Sequence, residues 1–216
     1  MKENIESEKS GINSEARKKF ILDTACSLFL KNGYGRTTMS AIAEMVGGSK
    51  STLWKYFPSK EILFESVIHH AVSIFHVDLI AALDGNLSTD TDLIKFCQIF
   101  IRKISGIDAI TLHRIVIGES SQFPELGRIF YAHAWGLIHK ILTGYISGQM
   151  NGGALRKGDP AKAAGMLLGL CEGGHHKRVL WGIEPYTDAI ATEEAASVVE
   201  QFMRAYSSVS ICRAKL

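Results

Sequence analysis

The chain of 216 residues is poor in proline, with four in all, at 58, 124, 160 and 185. Proline breaks helix interiors, so its scarcity leaves long helices open. Cysteine is equally sparse. Cys26, Cys97, Cys171 and Cys212 lie far apart with no C-x-x-C spacing, which excludes a disulfide scaffold and leaves ordinary buried thiols as the plain reading. No run of about 18 apolar residues is present, so no membrane-spanning helix is expected. The charged N-terminus lacks the apolar stretch of a signal peptide. The expectation is a cytoplasmic protein without a membrane partner. Strand-length alternation of apolar and polar residues is missing, so the fold class expected is all-α. No nucleophile with a base, no paired carboxylates and no phosphate loop stand at a recognisable spacing. An enzyme is therefore not expected, and no cofactor is called for.

What is present begins with a sufficient core: hydrophobic residues make up 46 % and charged residues 21 %, ordinary globular values. The net charge of +2 is small but unevenly spread. Residues 1–60 hold ten Lys or Arg against six Asp or Glu, near +4; the remainder holds fourteen against sixteen, near −2. A basic head on a mildly acidic body suits a protein that touches phosphate with one end, although a few charges can also fall this way by chance. Residues 1–13 are polar and aperiodic and read as a flexible arm. Residues 14–65 form a first domain and 66–216 a second.

Ile21, Ala25, Leu28 and Phe29 form one apolar stripe that ends at Asn32-Gly33. Thr37 or Thr38 can cap a second helix whose inner face is Met39, Ile42 and Val46. Gly47-Gly48 breaks it. Ser49 can cap a third helix with Leu53 and Phe57 inside, ended by Pro58. Ser59 caps a fourth, running to about Leu83, with Glu61 in its first turn. Further helices are expected over about 89–105, 108–120, 125–150, 160–182 and 187–211. Three short helices whose third member is basic and hydroxyl-rich match helix-turn-helix logic. With Leu53 and Phe57 inside, Lys50, Ser51, Trp54 and Lys55 face outward. The lysines suit phosphate, and Ser51 and Thr52 suit phosphate or base edges near the helix N-terminus. A merely solvated basic face is the alternative, with Trp54 tucked against the following helix.

The stretch Arg36-Thr37-Thr38, Ala41-Ile42-Ala43 and Ser49-Lys50-Ser51-Thr52-Leu53-Trp54-Lys55-Tyr56-Phe57-Pro58-Ser59-Lys60-Glu61 resembles the tetracycline-repressor-like (TetR) family across about residues 14–65. The resemblance implies that Thr38 and Thr52 bond phosphate, that Tyr56 and Lys60 grip the backbone, and that Lys50, Ser51 and Trp54 face the major groove. Trp54 stands where that family usually has Tyr, and Ser51 where glycine is common. The DNA-binding set expected is Thr37, Thr38, Ser49, Lys50, Ser51, Thr52, Trp54, Lys55, Tyr56 and Lys60. Further along, Arg114, Glu119 through Leu126, Gly153-Ala-Leu155 and Asp159-Pro160-Ala161 resemble the AefR-like subgroup of the same family. That resemblance implies a ligand-binding and dimerising domain.

For dimerisation, Gly165, Gly169 and Gly173 recur every four residues, and small residues let helices approach closely. Ala191, Ala195, Val198, Phe202 and Ala205 make a stripe on the last helix. Two such helices from each subunit would build a four-helix interface, although packing within one subunit explains the same spacing. Candidate ligand-binding residues are Phe96, Phe100, Arg114, Phe130, His133, Trp135, Cys171 and His175, with Arg114 and Glu119 a possible internal pair. Aromatic residues at helical spacing are also ordinary core. Cys171 and His175 could share an ion, but two ligands make half a tetrahedral site, so no metal is expected. The resulting expectation is a homodimeric repressor that holds double-stranded operator DNA with recognition helices roughly 34–36 Å apart. A small hydrophobic or aromatic effector would release it from a palindromic operator. A constitutive DNA-binding dimer and a metal-responsive regulator are the alternatives.

Overall fold

The computed structural model describes the backbone of residues 2–47, 50–85 and 87–208, and their side chains except those of residues 2–13, 50 and 74. Among the described residues the fold is all-α. The helices are α1 (Lys2–Asn32), α2 (Met39–Val46), α3 (Lys50–Tyr56), α4 (Lys60–Ala82), α5 (Thr89–Ile104), α6 (Ile107–Glu119), α7 (Pro124–Phe130), α8 (Gly136–Asn151), α9 (Pro160–Cys171), α10 (Gly174–Leu180) and α11 (Asp188–Tyr206). A π-helical turn, Tyr131–Trp135, joins α7 to α8. An isolated bridge, Leu155 to Ser207, takes the place of any strand among the described residues.

The chain divides into two compact units. The head comprises Met1–Val72 together with Ile115–His133, and the body comprises Ser73–Arg114 with Ala134–Leu216. A boundary at 65/66 read from sequence misses this interleaving, because α4 and α6 each contribute residues to both units. The helical backbone also starts at Lys2, within the stretch read as an arm.

In the head, Ile21, Ala25 and Phe29 of α1 are buried with Ile42 and Val46 of α2 and Leu53 and Phe57 of α3. Thr38 caps α2, its hydroxyl oxygen accepting the Ala41 N–H at 3.1 Å. Gly47 ends α2 at φ +68, a left-handed conformation that favours glycine. By length and composition α4 could cross a bilayer. It instead buries Leu63, Phe64, Val67, Ile68, Phe75 and Leu79 within the protein.

In the body, α11 packs on α5 and α9, and α8 packs on α9. Phe96, Phe100, Leu167, Leu168, Ala195 and Phe202 form the centre. The loop after α8 is tied to the end of α11: the Arg156 N–H donates to the Tyr206 carbonyl at 2.8 Å, and the Arg156 guanidinium stands 4.6 Å from the Tyr206 ring centroid. Two helices read as continuous are interrupted. The 125–150 stretch carries the π turn, and the 160–182 stretch breaks at Glu172-Gly173 before α10.

Candidate nucleic-acid interface

The sequence of α3 sorts its side chains cleanly. Leu53 and Phe57 enter the core, while Ser51, Trp54 and Lys55 are exposed and Thr52 and Tyr56 are half-buried. Trp54, 37 % exposed, is thus a large aromatic ring on a solvent-facing basic surface. Ser49 and the side chain of Lys50 lie outside the described residues. The Tyr56 hydroxyl shares a 2.9 Å hydrogen bond with the Ser14 hydroxyl, and the Arg17 guanidinium donates to the Gly47 carbonyl. These contacts fix the two ends of the α2–α3 corner against α1. Thr38 is exposed, and its hydroxyl proton is still available for donation while its oxygen caps α2.

Two members of the expected set turn inward. Thr37 is 1 % exposed, and its hydroxyl is directed to the Leu28 carbonyl (3.2 Å) and the Gly33 carbonyl (2.7 Å). It closes the end of α1 instead of meeting phosphate. The Lys60 ammonium donates to the carbonyls of Tyr34 (3.0 Å) and Thr37 (3.1 Å) and lies 4.2 Å from the Tyr34 ring centroid. Burial lowers its pKa, and the negative charges of Glu119 and Glu125 oppose that shift. Two of its three donors are committed to the turn between α1 and α2.

In the body the expected ligand-binding residues do not converge. Phe96 and Phe100 stack on one another, centroids 6.1 Å apart, and are fully packed. The Arg114 guanidinium donates to the carbonyls of Leu180 (2.8 Å) and Val179 (3.0 Å), closing the end of α10 and leaving no pair with Glu119. Trp135 stacks on His139 at 4.8 Å, and its indole N–H donates to the Glu172 carboxylate. Cys171 is buried beside Cys97, and contact with that thiol together with burial raises its pKa. His175 belongs to α10 and Cys171 to α9, so the expected i, i+4 face does not exist. The His175 ring meets Glu184 at 3.1 Å instead. In the head, His133 meets Glu65 at 2.7 Å, and Phe130 is half-buried. Among the described residues no three His, Cys, Asp or Glu side chains could hold a metal ion.

The dimerisation set is split in the same way. Ala195, Val198 and Phe202 are buried inside the subunit, because α11 turns that stripe toward α5 and α9. Gly173 is the N-cap of α10 and leaves the α9 face, whereas Gly169 is exposed with open space where a Cβ would stand. Gly165 lies against the His139 ring. The body also has an open groove of about 720 Å³, lined by Phe75, Asp78, Ala81 and Ala82 of α4, by Lys95, Gln98, Ile99, Arg102 and Lys103 of α5, and by the start of α6. None of the expected ligand residues lines it.

Comparison with known proteins places this geometry. The C-terminal domain of AefR-like transcriptional repressors matches residues 91–208, and the bacterial regulatory proteins of the tetR family match residues 21–67. This chain belongs to the tetR family. It is therefore a DNA-binding transcriptional regulator, and the family is not one of enzymes. The HTH-type transcriptional regulator RutR of Escherichia coli (strain K12) is 42 % identical over 60 residues, only 28 % of either chain. The HTH-type regulator YhgD of Bacillus subtilis (strain 168) is 24 % identical over 160 residues, 71 % of this chain and 80 % of that one. Among solved structures, a TetR-family regulator from Mesorhizobium loti MAFF303099 aligns with TM-score 0.80 and 25 % identity, covering 90 % of this chain and 98 % of that one. The flavonoid-responsive regulator FrrA aligns with TM-score 0.76 and 29 % identity, covering 89 % and 98 %.

One residue of this tetR-family chain, expected from sequence as a possible partner of Arg114, has a different role. Glu119, the last residue of α6, accepts the Tyr34 N–H at 3.1 Å and the Gly35 N–H at 2.6 Å. The Tyr34 hydroxyl meets Glu125 at 3.4 Å, and burial with that carboxylate raises its pKa well above the ordinary phenol value. Phe123 packs edge-on against Tyr34, centroids 5.3 Å apart. The nearest signal in the sequence is Gly33-Tyr34-Gly35. Gly33 has φ +82, and a Cβ at Gly35 would stand 2.9 Å from the Phe123 ring. Such a turn needs partners for its amides, but the sequence does not say that they come from about 85 residues away.

Proposed function

We propose that this chain is a homodimeric, ligand-responsive repressor that binds a palindromic operator through the outer face of α3 and is released by a small hydrophobic or aromatic effector. The observation that carries the reading is the sorting of α3: Leu53 and Phe57 are inside, and Ser51, Trp54 and Lys55 stand in solvent beside the exposed cap Thr38. A helix of this kind places base-reading side chains in a major groove, and neighbouring hydroxyls and lysines meet phosphate. Thr38, Ser51, Thr52, Lys55 and Tyr56 form the phosphate and edge contacts, and Trp54 offers an apolar surface for a thymine methyl or an indole N–H for an acceptor. Ser49 and Lys50 complete the set by their place in the chain.

The effector site in this reading is the open groove of the body. Its volume lies within the range of small-molecule sites, and its floor of Phe75, Ala82 and Ile99 is apolar. The similarity to FrrA, which is described as flavonoid-responsive, supports a small-molecule effector. The exposed side of α9, with Met166 and Gly169, is the dimer contact. Selection from a random duplex pool by the purified chain tests the DNA reading. Enrichment of a two-fold symmetric sequence is the expected result, and a pool with no enriched sequence contradicts it. Ligand screening against the selected duplex then separates a released repressor from a constitutive binder.

A further inference from the structure

We infer that Glu119 is a positioning residue for DNA binding: its carboxylate clasps the turn that presents Thr38, so that α6 governs the operator-facing end of α2. The inference rests on the reading of Thr38 as a phosphate contact.

The turn Gly33–Thr37 is held from both sides. Its amides at Tyr34 and Gly35 donate to the two carboxylate oxygens of Glu119, and its carbonyls at Tyr34 and Thr37 accept from the Lys60 ammonium. Inside the turn, the Thr37 hydroxyl is tied to the Leu28 and Gly33 carbonyls. Thr38 follows directly, and its oxygen fixes the first turn of α2 through the Ala41 N–H. A carboxylate that receives two backbone N–H groups defines their direction more tightly than one bond could, and charged acceptors make the stronger hydrogen bonds. The glycine at 33 leaves room for a carboxylate where a Cβ would collide with it. With Gly35 it marks a close approach built around Glu119, since the same positions meet Glu119 and Phe123.

The residues that form the clasp, 115–133, come from far along the chain yet cluster with the head. The helix that ends in Glu119 also supplies groove lining at its first turn through Ile107, Asp108 and Ala109.

A double-mutant cycle on the selected operator duplex, read by fluorescence anisotropy, tests the inference. Glu119→Ala is expected to weaken operator binding at least tenfold in the wild-type background and less than twofold in Thr38→Ala. Glu119→Gln keeps one acceptor oxygen and should fall between. Thermal melts verify that each variant is folded, and hydrogen exchange at Tyr34 and Gly35 should speed up in Glu119→Ala while the α3 amides keep their protection. If Glu119→Ala leaves affinity unchanged, or weakens it equally in both backgrounds, the positioning role is wrong. Retained affinity in Lys55→Ala and Thr38→Ala together would instead contradict the DNA-contact reading on which the cycle depends.

Discussion

The head and the body are held together by different physics. In the head, the two short helices α2 and α3 cannot bury much apolar surface by themselves. The head adds residues 115–133 and fixes its main turn with charge: Glu119 on the amides, Lys60 on the carbonyls, and the Tyr34, Phe64 and Phe123 rings around them. The body relies on apolar packing of α5, α9 and α11, and its buried polar side chains pair between helices: the Tyr145 hydroxyl donates to Asp92, and Ser105 meets His176. The lesson is about where function can sit. A head whose shape is set by a few directional bonds can leave its remaining polar face to a ligand as large as DNA. The body buries Phe96, Phe100 and Phe202 at its centre, and an open groove lies beside α5.

The contrast can be broken by substitution. The largest effect is expected from Phe96→Ala in the body, about 3–5 kcal/mol of unfolding free energy, measured by urea denaturation, with operator affinity of the folded protein unchanged. A changed affinity at full folding would show that Phe96 belongs to a functional site. Lys60→Met in the head should cost about 1–3 kcal/mol, because two carbonyls of a part-buried turn lose their donor; a variant as stable as the wild type would show that the ammonium does not hold the turn. Lys55→Ala is expected to do the opposite of both. Its melting temperature should stay the same, operator affinity should fall about fivefold or more, and the salt dependence of binding should drop by about one phosphate contact.

A further effect concerns acid. Burial, reinforced by His113 and His175, pushes the His176 imidazole down to about 4 from its ordinary 6.5. Between those values the unfolded chain binds more protons than the folded one, so this contribution is complete above about 6.5, declines as pH falls toward 4, and then levels off. His176→Gln should flatten the slope of stability against pH across that window, and an unchanged slope would mean that the ring titrates normally in the folded protein.

Much of the head was legible because its signals are local. Ile21, Ala25 and Phe29, then Ile42 and Val46, then Leu53 and Phe57 follow helical spacing and are buried as that spacing requires. Asn32-Gly33, Gly47 and Pro58 mark the ends of helices that do end there or next to them. Lys60 and Thr37 were misplaced because exposure is a default for polar side chains, and only tertiary contacts reveal their partners. Glu119 was invisible as a clasp for the same reason. In the body, helix spacing located α5, α6 and α11 but said nothing about which apolar face meets which, so core residues such as Phe202 and Val198 looked like an interface. The break at Gly173 removed both the third glycine of the stripe and the shared face of Cys171 and His175.

The central claim is that α3 reads DNA with its outer face. Its most direct test is operator binding by the Trp54→Ala, Lys55→Ala double variant compared with the wild type, in anisotropy titrations across a series of salt concentrations. The account predicts an unchanged melt, an affinity lowered by about 2–4 kcal/mol if each side chain contributes about 1–2, and loss of discrimination between the selected operator and a scrambled duplex. Wild-type affinity and discrimination in the folded double variant would contradict it.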